Sequence, residues 1–314
     1  MPPQLRDAFT LAYKTDMSDA TNPSLDPLAA ERCMGLQREA SPWLNEEIAQ
    51  RMHSRLKWMT QPPKRWAHWL PRWGGMRSHG ALKDLLADAN GRNNVQTYLS
   101  GSLEATQPQA SWLLAVWAKL RGSDVHWQAT DQPLDMVWAN MVLHLQAQPV
   151  LLLQQWLGML RVNGMLMFSA LGPDTLRELR HVYAQMGWAQ PTHLFTDMHD
   201  WGDMLVQCGF AEPVMDMETL TVTYTSLDKL VADLRECGRN LSVARTPHCK
   251  GRGWNAQLLA ALQAHLPRDD QGNFTLSIEI IYGHALRPEP KAKMSPQTHV
   301  SLEDMQHMLR KSKV

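Results

Sequence analysis

The chain lacks the cysteine pattern and the excess of one charge that would place it in several common protein classes. Only four of its 314 residues are cysteines. They form no C-x-x-C pair and have no histidines at metal-ligand spacing, which argues against a zinc site and a disulfide framework. Basic and acidic residues number 31 each, so no net charge attracts nucleic acid or anionic lipid. We therefore expect no metal site and no nucleic-acid partner.

Long apolar runs are also absent. No stretch approaches the roughly 20 apolar residues that span a bilayer, and the amino-terminal sequence shows no basic segment followed by an apolar run. These absences predict a cytoplasmic protein that does not bind membranes, and we expect a monomer or weak dimer. The length exceeds the usual span of one compact core, which indicates one large domain with additions or two lobes.

Between residues 65 and 186, strand-like and helix-like segments alternate. Apolar and β-branched runs predict strands at 65–70, 95–99, 125–127, 134–139 and 165–168, and helical spacing of apolar residues predicts helices at 79–89, 112–120, 150–160 and 175–186. Asn163-Gly164 is interpreted as the left-handed end of the helix at 150–160. Such alternation requires a parallel sheet with helices on both faces, and ligands then bind at the carboxyl ends of its strands.

The remaining segments have a different pattern. A helix should begin at Pro42, where Glu46 and Glu47 favour the positive end of its dipole. Long alternating segments at 215–225 and 274–284 predict antiparallel strands that pair at one sheet edge. We expect a loosely ordered lead-in at 1–40, one domain at 41–287 in which 227–270 forms a helical cap, and a solvated tail at 288–314.

Several blocks of the sequence resemble a known family. In chain order they are Leu134-Asp135-Met136-Val137-Trp138-Ala139-Asn140, Phe168-Ser169-Ala170-Leu171-Gly172-Pro173-Asp174-Thr175-Leu176-Arg177-Glu178-Leu179-Arg180, Asp197-Met198-His199-Asp200 with Gly202-Asp203 and Gly209-Phe210, Asp216-Met217-Glu218, and Ile281-Tyr282-Gly283-His284-Ala285. They are similar to the malonyl-acyl-carrier-protein O-methyltransferases of early biotin synthesis. The resemblance implies an α/β fold of the Rossmann-like class I methyltransferase type, with a mainly parallel seven-stranded sheet, an antiparallel edge strand and a helical cap.

The resemblance also implies S-adenosylmethionine as cofactor and malonyl-acyl carrier protein as partner. The family binds the cofactor through the pattern x-D-x-G-x-G-x-G after the first strand, where glycine lets the backbone approach the cofactor. This chain departs from the pattern, because it has Trp69-Leu70-Pro71-Arg72-Trp73-Gly74-Gly75-Met76 there and no carboxylate. The candidate cofactor-binding residues are Gly74, Gly75, Ser100, Asp131, Trp138 and Asn140.

The candidate catalytic residues, Tyr282, His284 and Asp174, each have a structural reading as well. Alternation places Tyr282 and His284 on one strand face, where either could be a packed core or edge residue. Asp174 could instead cap a helix that begins at Thr175. Gly74-Gly75 is likewise typical of a simple turn.

Methyl transfer to a carboxylate is an in-line displacement that depends on proximity, orientation and the exclusion of water. A malonyl carboxylate is already ionised at neutral pH, so neither a general base nor a metal is obligatory. An arginine of the cap, Arg239 or Arg245, could pair with that carboxylate. Three functions stay open: methylation of a malonyl thioester, methylation of another small acid, and a non-catalytic binding role without the cofactor. Binding of S-adenosylmethionine would discriminate between the enzyme and the binding protein.

Overall fold

The computed structural model describes residues 24–34, 36, 40–56, 62–87, 94–98, 133–246 and 251–290. Its helices are α1 (Pro27–Met34), α2 (Trp43–Arg55), α3 (Pro71–Gly74), α4 (Met76–Leu85), α5 (Pro149–Met159), α6 (Arg177–Gln185), α7 (Met198–Cys208), α8 (Leu227–Cys237) and α9 (Arg252–His265). Its strands are β1 (Arg65–Trp69), β2 (Asn94–Tyr98), β3 (Leu134–Ala139), β4 (Leu160–Leu171), β5 (Ala211–Tyr224) and β6 (Phe274–Leu286).

The strands of the described residues form one sheet in the order β2-β1-β3-β4-β6-β5. Parallel pairing joins β2, β1, β3 and β4, whereas β6 pairs antiparallel with both β4 and β5. The sheet is thus mixed and Rossmann-like, with the carboxyl ends of its parallel strands at one edge. Ligands of such open sheets bind at that edge.

Most of the predicted elements are confirmed. Strands occur at every predicted position that the structure describes, and the two long alternating segments pair antiparallel as β5 and β6. The predicted helix at 112–120 and strand at 125–127 lie outside the described residues, so the count of seven strands stays a prediction. The strand order corrects one detail of the predicted sheet. The strand that runs opposite to the parallel set is β6, which lies one place in from the edge, whereas β5 at the edge runs in the same direction as β4.

The interpretation of Asn163-Gly164 as a helix end is wrong. Helix α5 already ends at Met159, and Asn163 adopts its left-handed conformation (φ 61°) inside β4. The register between β3 and β4 shifts at this point. A Cβ at residue 164 would lie 2.8 Å from the backbone oxygen of Leu134 on the neighbouring strand. Glycine is therefore needed because two strands approach closely at an irregularity, which local sequence cannot distinguish from a helix end.

The core lies between this sheet and the helices on its faces. Strand β3 is almost wholly buried along its length, as expected of a parallel strand covered on both faces. Five tryptophans are at most 1% exposed: Trp66, Trp69, Trp138, Trp156 and Trp201. Packing accounts for these large side chains. Helix α2 adds Ile48 and Met52, which lie one turn apart and are both fully buried.

Candidate functional site

The segment that follows β1 stands where the resemblance places the cofactor loop. Leu70 takes a left-handed conformation (φ 50°), the four-residue helix α3 follows, and Gly75 (φ 129°) turns the chain into α4. The backbone therefore has a positive φ at two positions, a conformation that ordinarily favours glycine, and one of these two residues is a leucine. Gly74 and Gly75 form the turn between two helices.

Side chains of the protein fill the space around this loop. Trp73 is 6% exposed, and its indole nitrogen donates a 2.7 Å hydrogen bond to the backbone oxygen of Met141. The fully buried Asn140 donates to the backbone oxygens of Asn45 and Gly74 and accepts a 2.6 Å bond from the Ser169 hydroxyl. A Cβ on Gly74 would lie 3.0 Å from the backbone oxygen of Asn140. The hydrogen-bonding capacity of Asn140 is thus used within the protein.

The start of α4 is occupied as well. Glu46 of α2 is 6% exposed, and its carboxylate accepts hydrogen bonds from the backbone N–H groups of Arg77 (3.0 Å) and Ser78 (3.1 Å). A carboxylate at a helix amino terminus is stabilised by the unpaired N–H groups and the helix dipole. The sequence predicted a role for Glu46 at the start of its own helix, whereas its side chain caps a different helix.

The described part of this site does not fit S-adenosylmethionine in the conformation that it adopts. Gly74 is packed against Asn140, and the α4 amino terminus holds Glu46. Trp138, a candidate for stacking on the cofactor, is fully buried in β3. Two further candidates, Ser100 and Asp131, lie outside the described residues.

A buried histidine stands at the end of β1 beside this loop. His68 is fully buried, its Nδ1 lies 3.0 Å from Nδ1 of His79, and its ring contacts that of Trp138 edge-on. Burial, followed by the nearby His79, lowers the pKa of His68 well below its usual value. His68 is therefore a neutral imidazole in the core beside the loop.

An apolar cavity of about 540 Å³ opens at the same edge of the sheet. It lies between the ends of β4 and β5, the start of β6, and the helices α8 and α9, with Leu171, Val222, Ile278, Val231 and Leu258 among its lining residues. This volume lies in the range of small-molecule sites. The segment predicted as a cap thus contributes helices that cover the cavity.

Two histidines line this cavity at the ends of the parallel strands. His144 follows β3 in a short 3-10 turn (Leu143–Leu145), and His193 lies in the loop before α7. His193 Nε2 is 3.0 Å from the backbone oxygen of His144. Burial is the main cause that lowers the pKa of His144 to about 3, and burial also lowers the pKa of His193. Sequence reasoning missed both residues, because an isolated histidine after a strand carries no motif.

The two candidate substrate-binding arginines both line the cavity but differ in their partners. Arg245 pairs with Asp26 of the amino-terminal segment at 2.7 Å, and this hydrogen bond lowers the pKa of Asp26. Arg239 donates to the backbone oxygens of Arg235 and Gly238. No carboxylate of the described residues pairs with Arg239. Its positive charge is therefore the more available of the two for an anionic ligand.

Tyr282 and His284 do not line the cavity. The Tyr282 hydroxyl donates a 2.5 Å hydrogen bond to Glu218, which also pairs with Arg51 of α2 at 3.0 Å. Arg55 lies over the Tyr282 ring at 3.7 Å. Burial and Glu218 raise the pKa of this tyrosine. These contacts fasten α2 to the sheet and favour the structural reading of Tyr282, while His284 is half-buried further along the same strand.

The alternative, structural reading of Asp174 as the cap of a helix that begins at Thr175 is wrong. Helix α6 begins at Arg177, its N-cap is Leu176, and no side chain caps it. The Asp174 side chain is 62% exposed and lies 3.7 Å from Arg177. The loop is held instead by the buried Glu279 of β6, whose carboxylate accepts a 2.6 Å hydrogen bond from the backbone N–H of Asp174. This distant partner fixes the loop, so the local pattern could not predict it.

A mixed, doubly wound sheet with an apolar cavity at its carboxyl edge defines a Rossmann-like α/β protein, in which this edge is the usual place of a ligand site. No protein-family model matches the chain. A malonyl-[acyl-carrier protein] O-methyltransferase of Gallionella capsiferriformans is 34% identical over 268 residues, which cover 81% of this chain and 87% of that protein. The chain therefore belongs to the malonyl-acyl-carrier-protein O-methyltransferase family.

Other relatives carry the same name. The Laribacter hongkongensis protein is 41% identical over 165 residues, covering 51% of this chain and 54% of that one. The Nitrosospira multiformis protein is 36% identical over 208 residues, covering 62% and 67%. Among solved structures, the Bacillus subtilis YcgJ protein is similar with a TM-score of 0.46 at 11% identity, over 77% of this chain and 99% of that one. No helix among the described residues is both long and apolar enough to cross a membrane.

Proposed function

We propose that this chain transfers a methyl group to the free carboxylate of a malonyl thioester held by acyl carrier protein, as a step of biotin synthesis. S-adenosylmethionine would be the methyl donor. The observation that carries the proposal is the relationship to the Gallionella methyltransferase, 34% identical across 81% of this chain. The relatives named above are all malonyl-[acyl-carrier protein] O-methyltransferases.

The cavity supports the acceptor half of this proposal. A malonyl group on a carrier protein reaches its enzyme at the end of a long, flexible arm, and a cavity of about 540 Å³ is large enough to take the acyl end of such an arm. The cap helices α8 and α9 would cover the arm and exclude water, which strengthens electrostatic contacts inside. Residues 227–270 would therefore act as a cap within one domain.

Arg239 would hold the malonyl carboxylate by a charge-assisted hydrogen bond. It lines the cavity and has no carboxylate partner among the described residues, whereas Arg245 already pairs with Asp26. A guanidinium can present a pair of N–H groups to a carboxylate. The carboxylate is ionised at neutral pH and needs no base, so the residues would act by orientation and by excluding water.

The test has two parts. The purified protein is first titrated with S-adenosylmethionine and with S-adenosylhomocysteine by calorimetry. Malonyl-acyl carrier protein is then incubated with methyl-labelled cofactor, with acetyl-acyl carrier protein as the control because it lacks the free carboxylate. Label on the malonyl form alone supports the proposal, and no label despite measurable cofactor binding contradicts it.

One observation favours a second candidate function, a binding protein of the same fold that does not use the cofactor. The loop after β1 is filled by Trp73 and Asn140, and Glu46 occupies the start of α4. Binding of malonyl-acyl carrier protein without any binding of S-adenosylmethionine at millimolar concentration would favour this second candidate. Micromolar binding of the cofactor would exclude it.

A further inference from the structure

His144 is a polar side chain that lies between the carboxyl end of β3 and the cavity. It follows β3, it lines the cavity together with Leu171 at the end of β4, and it is only 6% exposed. Side chains after the carboxyl ends of adjacent parallel strands are where open α/β sheets place their ligand contacts. The inference below rests on the proposed function, because it concerns the acceptor molecule of that reaction.

The contacts of His144 fix which ring nitrogen carries the proton. The backbone N–H of Leu171 can only donate, and it lies 3.4 Å from His144 Nδ1. Nδ1 is therefore the acceptor, and a neutral ring must carry its proton on Nε2. No hydrogen-bond partner of Nε2 occurs in the described part of the chain. His144 thus presents a hydrogen-bond donor that the protein itself leaves unused.

Neighbouring residues hold this ring in place. His193 donates from Nε2 to the His144 backbone oxygen at 3.0 Å, and the ring of Phe195 packs edge-on against the His144 ring with centroids 6.0 Å apart. His144 and His193 are both buried. Since a proton on either ring would be a buried charge, burial keeps both neutral at physiological pH.

We propose that His144 Nε2–H donates a hydrogen bond to the thioester carbonyl oxygen of the acceptor and thereby orients the malonyl group in the cavity. The carbonyl oxygen is an acceptor without a charge, and a neutral donor recognises it without competing for the carboxylate. The carboxylate is then left to Arg239 at the cap. No proton is transferred and no bond is broken in this contact, so His144 is a substrate-positioning residue.

The test compares two ligands that differ only in the carbonyl. Malonyl-N-acetylcysteamine has the thioester, and its thioether analogue has a methylene group in place of the thioester carbonyl. Calorimetry measures both with the wild-type protein, His144→Phe and His144→Gln, without any cofactor. A hydrogen bond of ordinary strength predicts that the wild type prefers the thioester by about five- to tenfold. His144→Phe should lose that preference, and His144→Gln should keep most of it because its amide still donates.

The outcomes separate this inference from the proposed function. An equal preference in all three proteins, or failure of the wild type to bind either ligand, overturns the role of His144. A preference that depends on His144 upholds it even if no methyl transfer is detected. Should the variants fail to fold, nitrogen-15 NMR of the wild-type histidines decides. The His144 Nε2 chemical shift should be that of a protonated nitrogen, and it should change when the thioester binds. An equal change on binding of the thioether would refute the contact.

Discussion

At the carboxyl edge of the sheet, the region beside β1 and the region beside β4 differ in whether their polar side chains are used in hydrogen bonds within the protein. On the β1 side, the buried polar groups of Asn140, Glu46 and Trp73 form hydrogen bonds with backbone groups of the protein, and their side chains fill the space. On the β4 side, a cavity of about 540 Å³ remains, and His144 and Arg239 line it. The first region is packed as protein core, whereas the second keeps a cavity that the proposed function uses as the acceptor site.

This difference separates the two halves of the proposed reaction. Under the proposed function, Arg239 and His144 would hold the acceptor, whereas the region expected to hold the methyl donor is closed in the described residues. This region contributes stability, because the buried polar groups of Asn140, Glu46 and Trp73 are paired there. Substitutions on the closed side should therefore lower stability, and substitutions on the open side should lower ligand binding.

The largest effect is expected for Trp73→Ala. Trp73 is 6% exposed and donates to the Met141 backbone oxygen, so its removal leaves a cavity and an unpaired acceptor. We expect a loss of about 4 kcal/mol in the free energy of unfolding, measured by urea denaturation. Trp254→Ala is the matched control, since Trp254 lines the open cavity and is only half-buried, and it should cost about 1 kcal/mol. Equal losses would show that the two sides are not built differently.

Asn140→Ala should produce the next largest loss. It removes the donors to the backbone oxygens of Asn45 and Gly74 and the acceptor of the Ser169 hydroxyl. Buried groups left unpaired predict a loss of about 3 kcal/mol. Asn255→Ala is the control on the cavity side, where the Asn255 side chain accepts from the exposed Arg235, and it should change stability by less than about 0.5 kcal/mol. A stable Asn140→Ala protein would contradict the account of the closed loop.

The sequence predicts the sheet better than the loops at its edge. Strands and helices follow from periodicity along the chain, and the described strands lie where periodicity predicts them. The contacts that fix the edge join residues far apart: Glu46 caps a helix that starts at residue 76, and Glu279 holds the loop at Asp174. No local pattern marks such a partner, so the sequence offered only a catalytic role or a helix cap for Asp174.

The candidate site shows the same limit. The family pattern directed attention to glycines and acids. Of the described candidates for cofactor binding, Gly74 and Gly75 form a turn, and Trp138 and Asn140 are buried within the closed region. His144 and His193 match no motif, although they line the cavity. Their arrangement depends on the fold, because the turn after β3 and the loop before α7 meet only in three dimensions.

A third prediction concerns acid sensitivity on the cavity side. Burial lowers the pKa of His144 from 6.5 to about 3, so the unfolded chain binds a proton that the folded protein does not. The contribution of neutral His144 to the free energy of unfolding is complete above its unfolded-state pKa of 6.5 and is lost as the pH falls from 6.5 toward 3. At about pH 5 the loss should be about 2 kcal/mol.

His144→Gln removes this titrating group. Compared with the wild type, its free energy of unfolding should fall less steeply between about pH 7 and pH 5. The slope contributed by the other buried histidines, His68 and His193, should remain, since their pKa values are also lowered. Identical slopes for the variant and the wild type would mean that His144 is protonated or exposed in the folded protein.

The smallest change in stability is expected for Arg239→Ala, which should nevertheless have a clear effect on binding. Arg239 is exposed and bonds only to backbone oxygens among the described residues, so we expect a loss of less than about 0.5 kcal/mol in unfolding free energy. Binding of malonyl-N-acetylcysteamine should weaken by about tenfold, as for a lost charge-assisted hydrogen bond. Binding of acetyl-N-acetylcysteamine should not change, because it has no carboxylate.

Arg245→Ala is the matched comparison, since that arginine lines the same cavity but pairs with Asp26. It should release the amino-terminal segment, which Asp26 also joins to the cap through its backbone bond to Leu241. Limited proteolysis near residue 24 should therefore become faster in Arg245→Ala and stay unchanged in Arg239→Ala. If instead Arg245→Ala alone abolishes the preference for the malonyl over the acetyl ligand, the carboxylate belongs to Arg245, and Asp26 would have to yield its partner when the acceptor binds.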